Sequence, residues 1–210
     1  MRNRHSTLLT TIASMIAVGL VCFPARSQEE KKPGGAGQDQ AAEMQAMMKA
    51  AAPGPEHQFL AKMAGDWNAE VKFFQPDGTA MPNTSKGVMH CAMMLDGRFL
   101  HMSYEGNVDM GGGPMPFKGA GLAGYDNTKK KYVNVWVDTM STGMMITEGT
   151  RQGDTLTSTG KMSDPTTGKD ADVKEVVTRI DDNSHKYELY GAGPDGKMMK
   201  FMEIMYTRKT

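Results

Sequence analysis

Cysteine is almost missing from this chain of 210 residues: there are two, Cys22 and Cys91. Charge of one sign is missing as well, with 24 basic residues against 24 acidic ones. A nucleic-acid or anionic-membrane binder needs a basic excess, so neither partner is expected. Long apolar runs are missing after residue 23. The single run, Leu8 to Phe23, is shorter than the ~20 residues that cross a bilayer. Catalytic signatures are missing too. There is no H-E-x-x-H, no G-x-S-x-G, no phosphate-cradling glycine loop and no Cys/His spacing suited to zinc. The stretch 109–114, DMGGGP, is glycine-rich but leads into no helix; it reads as a flexible loop. The sequence therefore names no catalytic residue, no metal ligand and no cofactor, and points to no reaction.

The N-terminus has a recognisable order. Arg2 and Arg4 precede the apolar run, and Pro24-Ala25-Arg26-Ser27 follows it. A charged n-region, an apolar h-region and small residues at −3 and −1 make 1–27 a secretory signal peptide. Val21 sits where a lipoprotein cut before Cys22 would need a small residue. Cleavage removes three basic residues and no acid, leaving 21 against 24, a net charge of −3. It also leaves Cys91 alone. An exported, periplasmic or extracellular protein without a disulfide must rely on its core, and Cys91 is expected to be a buried small hydrophobe.

Residues 28–55 are polar and carry no aromatic side chain, so they form a tether that buries too little to offset its ordering entropy. Good helix formers over 38–52, with Met44 and Met48 on one face, predict a marginal helix within it. Over 56–63 a short closing helix is expected. Pro55 suits its first turn, and Phe59, Leu60 and Met63 make an apolar stripe. From residue 66 the period changes to two and turn signals recur. Ten strands are predicted: 66–75, 84–95, 98–108, 115–125, 131–140, 143–151, 154–162, 171–181, 184–191 and 198–208. Asp96-Gly97 reads as a two-residue hairpin turn. No crossover is long enough for a parallel unit. The expected fold is all-β, an up-and-down antiparallel barrel of about ten strands over 56–210, with the short helix closing one end.

In such a barrel successive connections alternate between ends. The end holding Trp67 receives short polar turns. The other end receives longer Gly/Pro-rich loops with Met81, Met110, Met115, Met140, Met144, Met162 and Met198 in or beside them, and reads as an open mouth. The tenth strand brings Arg208 back to Trp67. Gly65-x-Trp67 on the first strand and a basic residue ending the last resemble the calycin signature of lipocalins and fatty-acid-binding proteins. There the cation stacks on the indole and ties the closing helix to the barrel. Gly65, Trp67 and Arg208 are thus the expected structural closed end. GDWNAEVKFF, CAMMLDGRFL, FKGAGLAGYDNTKKKYVNVWVDTMSTGMM, DPTTGK, KEVVTRIDDNSHKYELY, GPDGK and MEIMYTRK together resemble domain-of-unknown-function family 1579. That resemblance implies a lipocalin-like barrel and no particular activity.

The stretch 132–145, YVNVWVDTMSTGMM, carries the candidate site. Val133, Val135 and Val137 share one face; Tyr132, Asn134, Trp136 and Asp138 share the other. The mixed face lines the lumen, or the aliphatic face does; periodicity leaves both open. With the mixed face inward, Trp136 and Asp138, then Met140, Met144, Phe73 and Tyr104, line the lumen or mouth and bind a small hydrophobic or amphipathic molecule. On the third strand Leu100, Met102 and Tyr104 face one way, and either side can be inside. Glu175 and Arg179 share parity; a pocket could use such a pair for a polar head group, but the expected reading is a solvated surface ion pair. Two alternatives remain. With 21 methionines, Met140, Met144 and Met145, or Met198, Met199 and Met202, helped by His90 or His101, could handle copper(I). Or the barrel is filled with side chains and is an interaction module.

Overall fold

Strict alternation builds the barrel. Trp67, Ala69 and Val71 are buried, whereas Asp66, Asn68, Glu70 and Lys72 are exposed, which pins the register because a one-residue slip would turn every apolar side chain outward. The computed structural model describes residues 36–164, 167–193 and 196–210. The proposed signal peptide, 1–27, and the tether as far as 35 lie outside the described residues. The chain divides into 1–41 and 42–210; the second unit holds the barrel. Helix α1 spans Ala36–Ala51 and α2 Pro55–Ala61. The strands are β1 Gly65–Phe74, β2 Ala80–Met94, β3 Phe99–Val108, β4 Met115–Asp126, β5 Lys131–Asp138, β6 Met145–Gln152, β7 Thr155–Asp164, β8 Lys169–Arg179, β9 Ser184–Ala192 and β10 Met198–Arg208.

All ten close into one antiparallel barrel in sequence order, with β1 completing the ring against β10. That seam sets Trp67 opposite Arg208 and Phe73 opposite Met202. Two details differ from the sequence expectation. The β2–β3 connection is the four residues 95–98, closed by Met94 opposite Phe99. Leu95, Asp96 and Gly97 are all left-handed there, which coils the chain further than a two-residue turn. Strand β2 starts at Ala80 and includes Pro82, next to an irregularity in the β1–β2 register between Lys72 and Phe74, a place where a residue without an N–H is tolerated.

The register also decides what faces inward. Leu100, Met102 and Tyr104 of β3 lie opposite Ala123, Gly121 and Gly119 of β4, which in turn lie opposite Asn134, Trp136 and Asp138 of β5. The mixed face of β5 therefore lines the lumen. The aliphatic face is outside, where Leu122, Val135 and Ile146 sit side by side across β4, β5 and β6; Ile146 is 50% exposed.

Helix α2 closes one end. Phe59, Leu60 and Met63 join Trp67, Leu100, Tyr132, Ile204 and Tyr206 in one buried cluster, so the lower lumen is filled. Glu56 and Arg151 form the anchoring ion pair at 2.8 Å, and the Tyr132 hydroxyl donates to Glu56. His57 accepts the Gly54 N–H at 3.0 Å and meets Tyr125 edge-on. Cys91 is buried in the same cluster; burial, then the nearby Asp66 charge, push its thiol up to about 12. Helix α1 forms over 36–51, matching the predicted helix. The carbonyls of Ala50 and of Ala52, just past its end, accept from Asn127, and that of Ala51 accepts from Arg98.

Candidate functional site

At the closed end the Arg208 guanidinium lies 4.1 Å from the centre of the Trp67 ring. It donates to the carbonyls of Ala64 (3.0 Å), Lys62 (3.3 Å) and Asp182 (2.9 Å). The Trp67 indole N–H donates to Met63 O at 2.9 Å. Gly65 holds a φ of +128°, and a Cβ there would run into the Arg208 guanidinium, so glycine is required twice over. His185 stacks on Tyr206 at 4.5 Å and meets Trp67 edge-on at 4.4 Å. Burial, then the Arg208 charge, lower its pKa to about 4, so at neutral pH it is an uncharged ring in an aromatic stack.

The opposite end is looser. Connections 75–79, 109–114 and 139–144 belong to it, as do the two that contain undescribed residues. Asp109 organises the glycine-rich loop, its carboxylate accepting from Asn83, Gly111 and Gly113. A cleft of about 540 Å³ lies between 139–143 and Ser163, Asp164 and Gly168. A second, of about 440 Å³, lies along 82–86, Asn107, Asp109 and Pro114. Both open at this end.

Between the ends the lumen divides in two. Below is the packed cluster around Trp67. Above, Met145, Val173 and Leu189 are buried with Trp136, Met162, Tyr187, Phe201 and Met202 against them. A second irregularity, between Lys200 and Met202 of β10, lets the consecutive residues Phe201 and Met202 both pack into this upper group. Trp136 lies across β4 because Gly119 and Gly121 leave it room; a Cβ on Gly121 would come 2.9 Å from the indole. The Trp136 N–H donates to Asp138 at 3.1 Å, and the other Asp138 oxygen accepts the Met140 N–H at 2.9 Å. Asp138 thus holds the indole and the mouth loop together.

At the junction of the two groups sits a carboxylate, Glu175, only 4% exposed. The Tyr187 hydroxyl donates to it at 2.8 Å, the Thr147 hydroxyl donates to its other oxygen, and the Asn134 amide reaches both at 3.4 Å. Burial first, then the Glu175 charge, push the Tyr187 phenol well up, which keeps it a proton-bearing donor. The amide oxygen of Asn134 and the hydroxyl of Tyr104 are buried without a partner.

The expected surface pair Glu175–Arg179 is corrected by this geometry. Glu175 points into the lumen, while Arg179 binds Asp154 and Asp182 at the lower rim, because four residues of strand carry its head past the end of the apolar layer. Phe73, Tyr104, Trp136 and Asp138 all face the lumen, Tyr104 deeply and the others near the mouth. Met140 and Met144 are on the exposed mouth loop, Met144 at 63%. The structure gives the copper reading no support: Met145 and Met202 pack inside the barrel while Met144 and Met198 are exposed, and His90 and His101 point outward toward the closed end, His90 against Asp66 at 2.5 Å. Among the described residues no cluster of His, Cys, Asp or Glu could hold a metal ion. Sequence reasoning missed Glu175, Thr147 and Tyr187 as neighbours. The available signal was Val173-x-Glu175-x-Val177, one carboxylate on an otherwise apolar face.

Solved structures of similar fold include Rv2717c from M. tuberculosis, 15% identical with a TM-score of 0.53, over 76% of this chain and 100% of that one. The S-type phycobiliprotein lyase CPES from Guillardia theta is 12% identical with a TM-score of 0.50, over 78% and 97%. Both likenesses concern the fold. No curated protein matches the chain. The family model described as a protein of unknown function, DUF1579, matches residues 52–208, and the chain belongs to that family.

Proposed function

We propose that this protein is an exported β-barrel that binds a small apolar or amphipathic molecule in its upper lumen. One observation carries the reading. Inward-facing Phe73, Phe117, Trp136, Met162 and Met202 near that end stay half-buried, whereas Phe59, Leu60, Trp67, Tyr132 and Tyr206 at the helix-covered end are buried. A lumen apolar but unsealed at one end, with a few placed polar groups, is what a small-molecule site requires. Trp136 offers a ligand its ring face, Asp138 fixes that ring, Phe73 and Tyr104 line the wall, and Met140 and Met144 form a pliable rim.

Native mass spectrometry of the protein purified from its own host without detergent tests this. An added mass of some hundreds of daltons, released on denaturation, is expected; a bare chain that also fails to retain added alkyl ligands would overturn it. N-terminal sequencing of the same material checks export, with a start at Gln28 expected and a start at Met1 opposed to it. A second reading, docking to a second copy through Leu122 and Ile146, rests on the exposure of these two on either side of half-buried Val135. A dimer abolished by Ile146→Lys in sedimentation equilibrium would favour it.

A further inference from the structure

We propose that the ligand's polar end is a cation and that Glu175 is its counter-ion, so the barrel takes an amphipathic amine rather than a fatty acid. This rests on the ligand-binding reading above. A carboxylate removed from water is costly unless it is paired. Glu175 is 4% exposed, and its partners, Tyr187, Thr147 and Asn134, are all neutral. Arg179, on the same face of β8, is committed to Asp154 and Asp182. Among the described residues no Lys, Arg or His lies within ion-pair distance of Glu175.

Acceptor capacity is left over. Two carboxylate oxygens offer about four lone-pair sites, and only the hydroxyls of Tyr187 and Thr147 make short bonds there. The Asn134 contacts are long, at 3.4 Å, and the Asn134 amide oxygen is itself buried with no donor. Unsatisfied acceptors therefore converge on one spot. An ammonium brings three donors and a positive charge. A hydroxyl brings one donor and no charge, and a carboxylate brings a repelling charge. Above the spot lie Met145, Val173 and Leu189, then Trp136, Met162 and Met202. These make an apolar layer between the spot and the mouth, with unbranched methionines that yield to an entering chain.

Three probes of equal chain length, decylammonium, decanol and decanoate, titrated below their micellar concentrations at pH 7, test the assignment by calorimetry. Decylammonium is expected to bind about tenfold or more tightly than decanol, the size of a charge-assisted hydrogen bond, with decanoate weakest. Glu175→Gln should erase the preference, bringing decylammonium and decanol to similar affinities. Equal binding of amine and alcohol, tighter binding of decanoate, or a preference that survives Glu175→Gln would overturn the cation assignment while leaving a ligand-binding barrel. Failure of all three to bind, with a bare chain from the native host, would overturn both. Should Glu175→Gln not fold, the ranking on the unaltered protein decides alone.

Discussion

At Trp67 several side chains share one small volume. The ring is 1% exposed, donates to Met63, stacks under Arg208 and takes the edge of His185. Trp67→Ala should cost ~3–5 kcal/mol in denaturant melting, as a large core truncation. His185 sets a pH dependence. Its folded pKa is about 4 against an ordinary 6.5, so between those values the unfolded chain binds more protons. Its contribution is fully present above pH 6.5 and is lost as pH falls through the window, roughly 2 kcal/mol by pH 5. His185→Gln should flatten a pH 7-to-5 stability comparison; an unchanged slope would assign the acid sensitivity elsewhere. Asp138 is different in kind. It is half-buried and holds Trp136 and the Met140 N–H. Asp138→Ala should weaken ligand retention more than it lowers stability, read by native mass spectrometry beside a melting curve.

Element-scale behaviour follows from parity and from the lid. Leu100 faces inward and is 2% exposed, while Ile146 faces outward and is 50% exposed. Leu100→Ala should cost ~2–5 kcal/mol and Ile146→Thr within about 0.5 kcal/mol, although both are strand aliphatics. Equal losses would place the core on the wrong face of β6. Helix α2 has seven residues, too few to be stable alone. Its hold comes from Phe59 and Leu60 in the core and from the Glu56–Arg151–Tyr132 group. Arg151→Met should raise amide exchange in 55–61 while the strands of the barrel stay protected. The ranges of ten strands were legible because polar and apolar residues alternate and turns are spelled by Gly, Asp and Pro. The coiled β2–β3 turn was not, since nothing local makes Leu95 adopt φ of 51°.

For the molecule as a whole, closure sets the terms. Trp67 pairs with Arg208 across nearly the full length of the domain, and a ring with no free edge forms only when that distant pair meets. Refolding on the millisecond-to-second scale expected of non-local β topologies follows. The two ends of the ring are built differently. Sealed aromatics and the helix stabilise below, while methionine, glycine and proline loops leave surface above.

The amino-acid sequence by itself determined the strand pattern, the antiparallel order, the helix-closed end and the pairing of Gly65 and Trp67 with Arg208. Each follows from period, turn chemistry or strand count, all of which are local or additive along the chain. Only the tertiary structure decided which face of β3 and β5 is inside, and that Glu175, Asn134, Thr147 and Tyr187 from four strands meet at one buried point. Alternation assigns residues to two faces but does not say which face is the lumen, and no local rule encodes a contact across it. That choice belongs to the closed ring. It turned the aliphatic face of β5 outward and drew a carboxylate in.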